Sequence, residues 1–231
     1  MTLLSDTPTA PQTALLAAAY PPPYLLTGDL LWCPVTVPAG SPPRAPRGRA
    51  LGGVLAADYH SIRTGPQRTL VTVSGGRPYR YREVAWAEAT GVGLPLPLQF
   101  GRLWVDAPTM LPIELGDVYG FPKQMSSVAF SLHGPHLSVS AGGGGSPAMV
   151  IETGGRLPLP GWLARLTPSV RAAFPSTGLR ATLAVVAARS VQLQHVRRWE
   201  CTPPECPELR PLGWGLLLRG ATVFLGAPER H

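Results

Sequence analysis

Lysine is nearly missing from this chain of 231 residues: of its 20 basic residues, 19 are arginine and only Lys123 is lysine. Charge of either sign is also thin, at 14% of residues against 45% hydrophobic. That apolar fraction excludes a disordered, highly charged polypeptide. Proline and glycine together hold 54 positions, just short of the roughly 25–30% typical of low-complexity chains. Cysteine is scarce and odd in number, with Cys33, Cys201 and Cys206. The Cys-Thr-Pro-Pro-Glu-Cys spacing fits neither a CxxC redox motif nor a paired zinc knuckle, so reduced thiols and a cytoplasmic protein are expected. Long apolar runs are missing too. The N-terminal segment has no basic region, carries Asp6 and has a short apolar run at 14–20, which supports neither a signal peptide nor a membrane span.

Other chemistries lack their signatures. No Gly-x-Ser-x-Gly elbow is present for an α/β hydrolase. His60, His133, His136 and His195 have no metal-ligand spacing, and no metal or organic cofactor is expected. The formal charge of +7 raises nucleic-acid binding. However, the arginines are scattered, with Arg197 and Arg198 the only adjacent pair, and no stretch interleaves them with aromatics as a single-strand groove would. The glycines at 142–145 lack the Lys-Ser/Thr of a phosphate loop and read as a hairpin tip.

Short extended stretches between Gly/Pro turns dominate what is present. Residues 70–74 and 79–89 read as strands around a Gly-Gly-Arg-Pro turn. Val128, Phe130 and Leu132 share one face of another strand, which turns at His133-Gly134-Pro135-His136 into a partner at 137–140. Residues 181–195 and 212–225 are extended and apolar, separated by a loop at 201–211. Helical signals are brief, at 106–111, 160–166 and 169–174, each limited by proline. The expectation is a mainly β (β-rich α+β) single domain over residues 1–231, an antiparallel β-barrel or sandwich with a few short helices. Residues 1–20 read as a loosely ordered lead-in.

In so arginine-rich a composition, a retained lysine marks a position where arginine cannot serve. A guanidinium stays protonated and is a poor nucleophile, whereas a desolvated ammonium loses its proton and can do amine chemistry. Tyr119, Phe121 and Met125 surround Lys123 with apolar surface, and no charged residue follows Asp117 before it.

Gly120-Phe121-Pro122-Lys123 resembles the Gly-x-Pro-Lys segment of the acetoacetate decarboxylase family, whose lysine forms a Schiff base with a substrate ketone. Tyr81-Arg82-Glu83 resembles the family's Tyr-x-Glu stretch, which supplies an active-site carboxylate. Leu103-Trp104-Val105-Asp106 is similar to its strand ending in Asp, and Pro22-Pro23-Tyr24 to its opening Pro-Tyr. The resemblance implies a barrel or cone of that type, with Lys123 as nucleophile and Glu83 as acid/base. It implies a substrate pocket at Tyr81, Tyr119, Phe121, Gln124 and Met125. It also implies a small carbonyl substrate, most simply a β-keto acid, and a homo-oligomer that binds neither nucleic acid nor membrane. In an extended run Glu83 shares a face with Tyr79, Tyr81, Ala85 and Ala87, away from Arg80 and Arg82.

The chain departs from the family at three places. Gln124 replaces the second lysine that lowers the nucleophile's pKa, Gly116 stands where an arginine precedes the lysine, and Asp29 stands where another arginine follows the Pro-Tyr. These losses resemble the divergent branch of the superfamily that runs aldolase, dehydratase or cyclisation chemistry from the same lysine. A binding barrel without turnover is the reading from another class.

Overall fold

A computed structural model describes residues 18–38, 49–61, 65–75, 96–109, 123–133, 136–142, 147–160, 163, 170–174, 179–202 and 209–230. Within them run β1 (Tyr24–Pro38), β2 (Arg49–Ser61), β3 (Gly65–Gly75), β4 (Leu96–Asp106), β5 (Lys123–Met125), β6 (Ser127–His133) and β7 (His136–Gly142). The second half adds β8 (Met149–Leu159), β9 (Val170–Phe174), β10 (Leu179–Ala187), β11 (Ser190–Cys201), β12 (Arg210–Pro211), β13 (Trp214–Leu225) and β14 (Glu229–Arg230).

The strands pair in the order β1, β2, β3, β4, β9, β10, β13, and β13 returns to β1, so the path closes into a barrel. Every step is antiparallel except β4 to β9. Two edges are shared by two strands. Along β4, β9 pairs Leu96–Gln99 while β5 takes Leu103–Val105. Along β13, β10 takes Thr222–Leu225 while β11 takes Trp214–Arg219. From β11 the sheet continues through β8 and β7 to β6 and folds back over β1–β4, with β6 touching β2, β3 and β4. The expected barrel is present, with a second layer on its outside.

Side chains alternate across a strand, so each barrel strand feeds two cores. Leu26, Leu30, Ala57, Tyr59, Val71, Leu103, Val105, Leu218 and Val223 fill the inner one. Leu31, Cys33, Val54, Ala56, Leu70, Trp104 and Leu217 face the other way and pack against Val128, Leu137, Val139, Met149 and Ile151 of the second layer. Trp104 is 1% exposed and Leu31, Leu70 and Leu217 are 0%. Phe130 and Leu132 pack there with Val128, as the alternation predicts.

Three local expectations change. Residues 170–174 form strand β9 instead of a helix. The Val-Arg-Ala-Ala-Phe run is too short to nucleate a helix alone, and partners on both sides satisfy its backbone in the extended form. Asp106 ends β4 instead of capping a helix, and its Oδ2 accepts the Val128 N–H at 3.2 Å. Ala107–Thr109 are not helical either, and 110–111 lie outside the described residues. Near 160–166, Leu163 N–H donates to the Pro160 carbonyl at 3.0 Å in one tight turn. The third change is in redox state: Cys201 is disulfide-bonded while Cys33 is free and buried, so three reduced thiols are not what the fold holds. Among the described residues no helix is long and apolar enough to cross a membrane.

Candidate active site

The barrel positions Lys123 through its backbone. In the parallel β4–β5 pairing Lys123 is in register with Leu103, Gln124 with Trp104 and Met125 with Val105. Register partners stand side by side on one face of a sheet. The row that starts at Lys123 runs through Leu103, Val71, Leu55, Trp32 and Leu216. All five of these belong to the inner core or pack against it. The next row of the same parity runs from Met125 through Val105, Thr69, Ala57, Leu30 and Leu218. The intervening row starts at Gln124 and continues through Trp104, Leu70, Ala56, Leu31 and Leu217, the side chains of the second core.

Among the described residues, the register row beside Lys123 is therefore apolar. Leu103 is 8% exposed and Val71 3%. The Trp32 ring lies over Gly53, where an added Cβ would overlap it, so glycine here makes room for an indole on the inner face. Polar groups on this face are few. Thr69 is buried. Tyr24 donates its hydroxyl to the Tyr20 carbonyl at 2.7 Å. Tyr59 is 4% exposed, and its hydroxyl has no hydrogen-bond partner among the described residues. Burial pushes the Tyr59 pKa up, keeping the phenol neutral and able to donate.

Of the residues expected at the site, Tyr81, Glu83, Tyr119 and Phe121 lie outside the described residues, as does Gly116. Lys123 and Gln124 are placed by backbone register on alternate rows. Met125 is 49% exposed at the free side of β5. Asp29 is on the outer face of β1, with Oδ2 2.6 Å from Arg219 Nε and Oδ1 accepting the Gly220 N–H at 2.8 Å. It answers an arginine outside the barrel and does not line the interior. His133 and His136 are exposed register partners, at the end of β6 and the start of β7, and no group of three metal-binding side chains occurs among the described residues.

Trp32, Thr69 and Tyr59 were not singled out from the sequence. The alternation Leu55, Ala57, Tyr59 within β2 was the available signal for Tyr59. Trp32 follows two consecutive leucines, so simple alternation does not assign its face.

No protein-family model matches this chain, and no curated protein matches it in sequence. Solved structures do match. An acetoacetate decarboxylase superposes with a TM-score of 0.61 at 9% identity, over 97% of this chain and 94% of that one. The acetoacetate decarboxylase of Legionella pneumophila gives 0.57 at 11% identity, over 89% and 86%. The enduracididine biosynthesis enzyme MppR gives 0.58 at 14% identity, over 90% and 87%. Another MppR structure holds the condensation product of pyruvate and imidazole 4-carboxaldehyde. The closed barrel, its second layer and these superpositions give one result: this chain has the acetoacetate decarboxylase-like fold.

Proposed function

We infer that the protein is a Schiff-base lysine enzyme in which Lys123 is the nucleophile and a small keto acid or related carbonyl compound is the substrate. The observation that carries this reading is the register of Lys123 with Leu103, which sets the chain's one lysine in a row of inner-core residues within a fold shared with acetoacetate decarboxylases.

At pH 7 an ordinary lysine, with a pKa near 10.4, is neutral in only about 0.04% of molecules, so a working amine needs its pKa lowered by roughly 3 units. A neighbouring cation or desolvation can do this, and acetoacetate decarboxylase is itself the known example of the first. Here the sequence offers Gln124 where that cation would be. Desolvation beside Leu103, Val71 and Trp32 is left as the main cause.

The neutral amine attacks the carbonyl carbon, and loss of water from the carbinolamine leaves an iminium. Electrons from an adjacent C–C or C–H bond then move into the iminium, releasing carbon dioxide or a proton and leaving an enamine. Protonation at carbon and hydrolysis return the product ketone and the free amine. Glu83 carries the proton in this scheme.

The loss of the family's basic residues at Gln124 and Gly116 favours condensation or aldol chemistry as the second reading, and MppR, with its bound condensation product, has the same fold. Incubation with acetoacetate, and separately with pyruvate and an aldehyde, separates the two. Carbon dioxide release that disappears in Lys123→Arg supports decarboxylation, and a carbon–carbon adduct in the second mixture supports the aldol reading. No turnover of either kind leaves a binding barrel.

A further inference from the structure

On the outer face of the barrel the irregular register of β1 between Gly28 and Leu30 coincides with a cleft of about 340 Å³. It is lined by Thr27, Asp29, His60, Arg189, Arg219 and Gly220. Gly28 and Gly220 shape it. A Cβ on Gly28 would overlap the Asp58 carbonyl, and Gly220, at φ +52, adopts a left-handed turn that aims its N–H at Asp29.

The charges in the cleft do not cancel. Asp29 answers Arg219. Asp58, its register neighbour on β2, answers Arg68 at 3.3 Å. Arg189 donates its backbone N–H to the Arg219 carbonyl at 2.9 Å, and its side chain lies against Gly220. That guanidinium has no ion-pair or hydrogen-bond partner among the described residues, and the same holds for the exposed His60 ring. Arg219 Nε sits beside Asp29 but off the line of its N–H, so that hydrogen has no acceptor among the described residues. The cleft thus holds two guanidiniums and one carboxylate, which pairs with Arg219 alone, next to an imidazole and the Thr27 hydroxyl.

We propose that this cleft is a binding site for a compact oxyanion, a carboxylate or a phosphate group, held by Arg189 and Arg219 with His60 and Thr27 completing its hydrogen bonds. Charge-assisted bonds from an arginine fork to an oxyanion are about twice as strong as neutral ones, and the fork selects planar or tetrahedral oxygens. The site is on the opposite face of the β1–β2 sheet from the inner core, so it does not depend on the amine chemistry proposed for Lys123.

Titration calorimetry on the full chain at constant chloride tests it, with inorganic phosphate, pyrophosphate, succinate and neutral succinamide as probes. Saturable one-site binding of at least one anion is expected, and none of succinamide. Arg189→Gln should weaken that binding about tenfold. Arg156→Gln, an exposed position on β8 outside the cleft, should leave it within about twofold, and the thermal midpoint of Arg189→Gln should match the wild type. Preference for the phosphates or for succinate identifies the anion class. No saturable anion binding, or equal binding by Arg189→Gln and wild type, overturns the proposal.

Discussion

Lys123 and Leu103 are register partners across the parallel pairing of β5 with β4, so the single lysine shares a row with a leucine of the inner core. If apolar packing there lowers the amine's pKa, loosening it should raise that pKa. Leu103→Ala is expected to cost about 2–4 kcal/mol in stability. It should also shift the pH dependence of carbonyl trapping upward by about one unit, as water enters beside the amine. Leu137→Ala, in the second core, should cost a similar amount without moving the pH profile. A profile unchanged in both variants would show that Leu103 does not tune the lysine.

Gly53 and Trp32 provide a packing test. A methyl at Gly53 would overlap the indole, so Gly53→Ala should lower stability by about 1–3 kcal/mol and alter the tryptophan emission spectrum. Urea unfolding followed by fluorescence measures both. An unchanged midpoint would mean that the ring has room elsewhere.

Cys33 gives a pH prediction. Burial raises its thiol from 9.0 to about 12, so above pH 9 the unfolded chain releases a proton that the folded chain keeps. The stabilising contribution is complete below pH 9 and declines as pH rises toward 12. By about pH 10.5 the loss from this group should be on the order of 2 kcal/mol. Tyr59, raised for the same reason, acts in the same direction. Cys33→Ala should flatten the alkaline slope of urea stability measured at pH 8 and pH 10.5. An identical slope in the variant would remove Cys33 from the account.

The two described cysteines should also differ in labelling. In folded protein without reductant, iodoacetamide should modify neither. After unfolding, Cys33 should react at once and Cys201 only after reduction. Labelling of Cys201 in unreduced, unfolded protein would contradict the disulfide.

Legibility in the sequence followed the range of the interactions. A β-rich barrel or sandwich could be read from short apolar strands between turns, the barrel itself from the resemblance, and the Val128, Phe130, Leu132 face from simple alternation. Residues 170–174 could not, because Val-Arg-Ala-Ala-Phe has no strong preference and becomes a strand through pairing with β10, which follows it, and with β4, far away in the chain. Asp29 could be aligned with a family arginine, but its partner Arg219 lies 190 residues further along, and only the closure of β1 on β13 brings them together. Lys123 was singled out by composition and motif. The apolar row beside it needed the register of five strands, and Trp32 entered that row only because Gly53 leaves space for its ring.

The central claim is amine chemistry at Lys123, and the direct measurement is reductive trapping. The protein is incubated with acetoacetate or pyruvate, treated with borohydride, and examined by intact mass and peptide mapping. The account predicts one stable adduct per chain, mapped to Lys123 and absent from Lys123→Arg. Failure to form an adduct with any carbonyl compound, or an adduct that persists in Lys123→Arg, would contradict it.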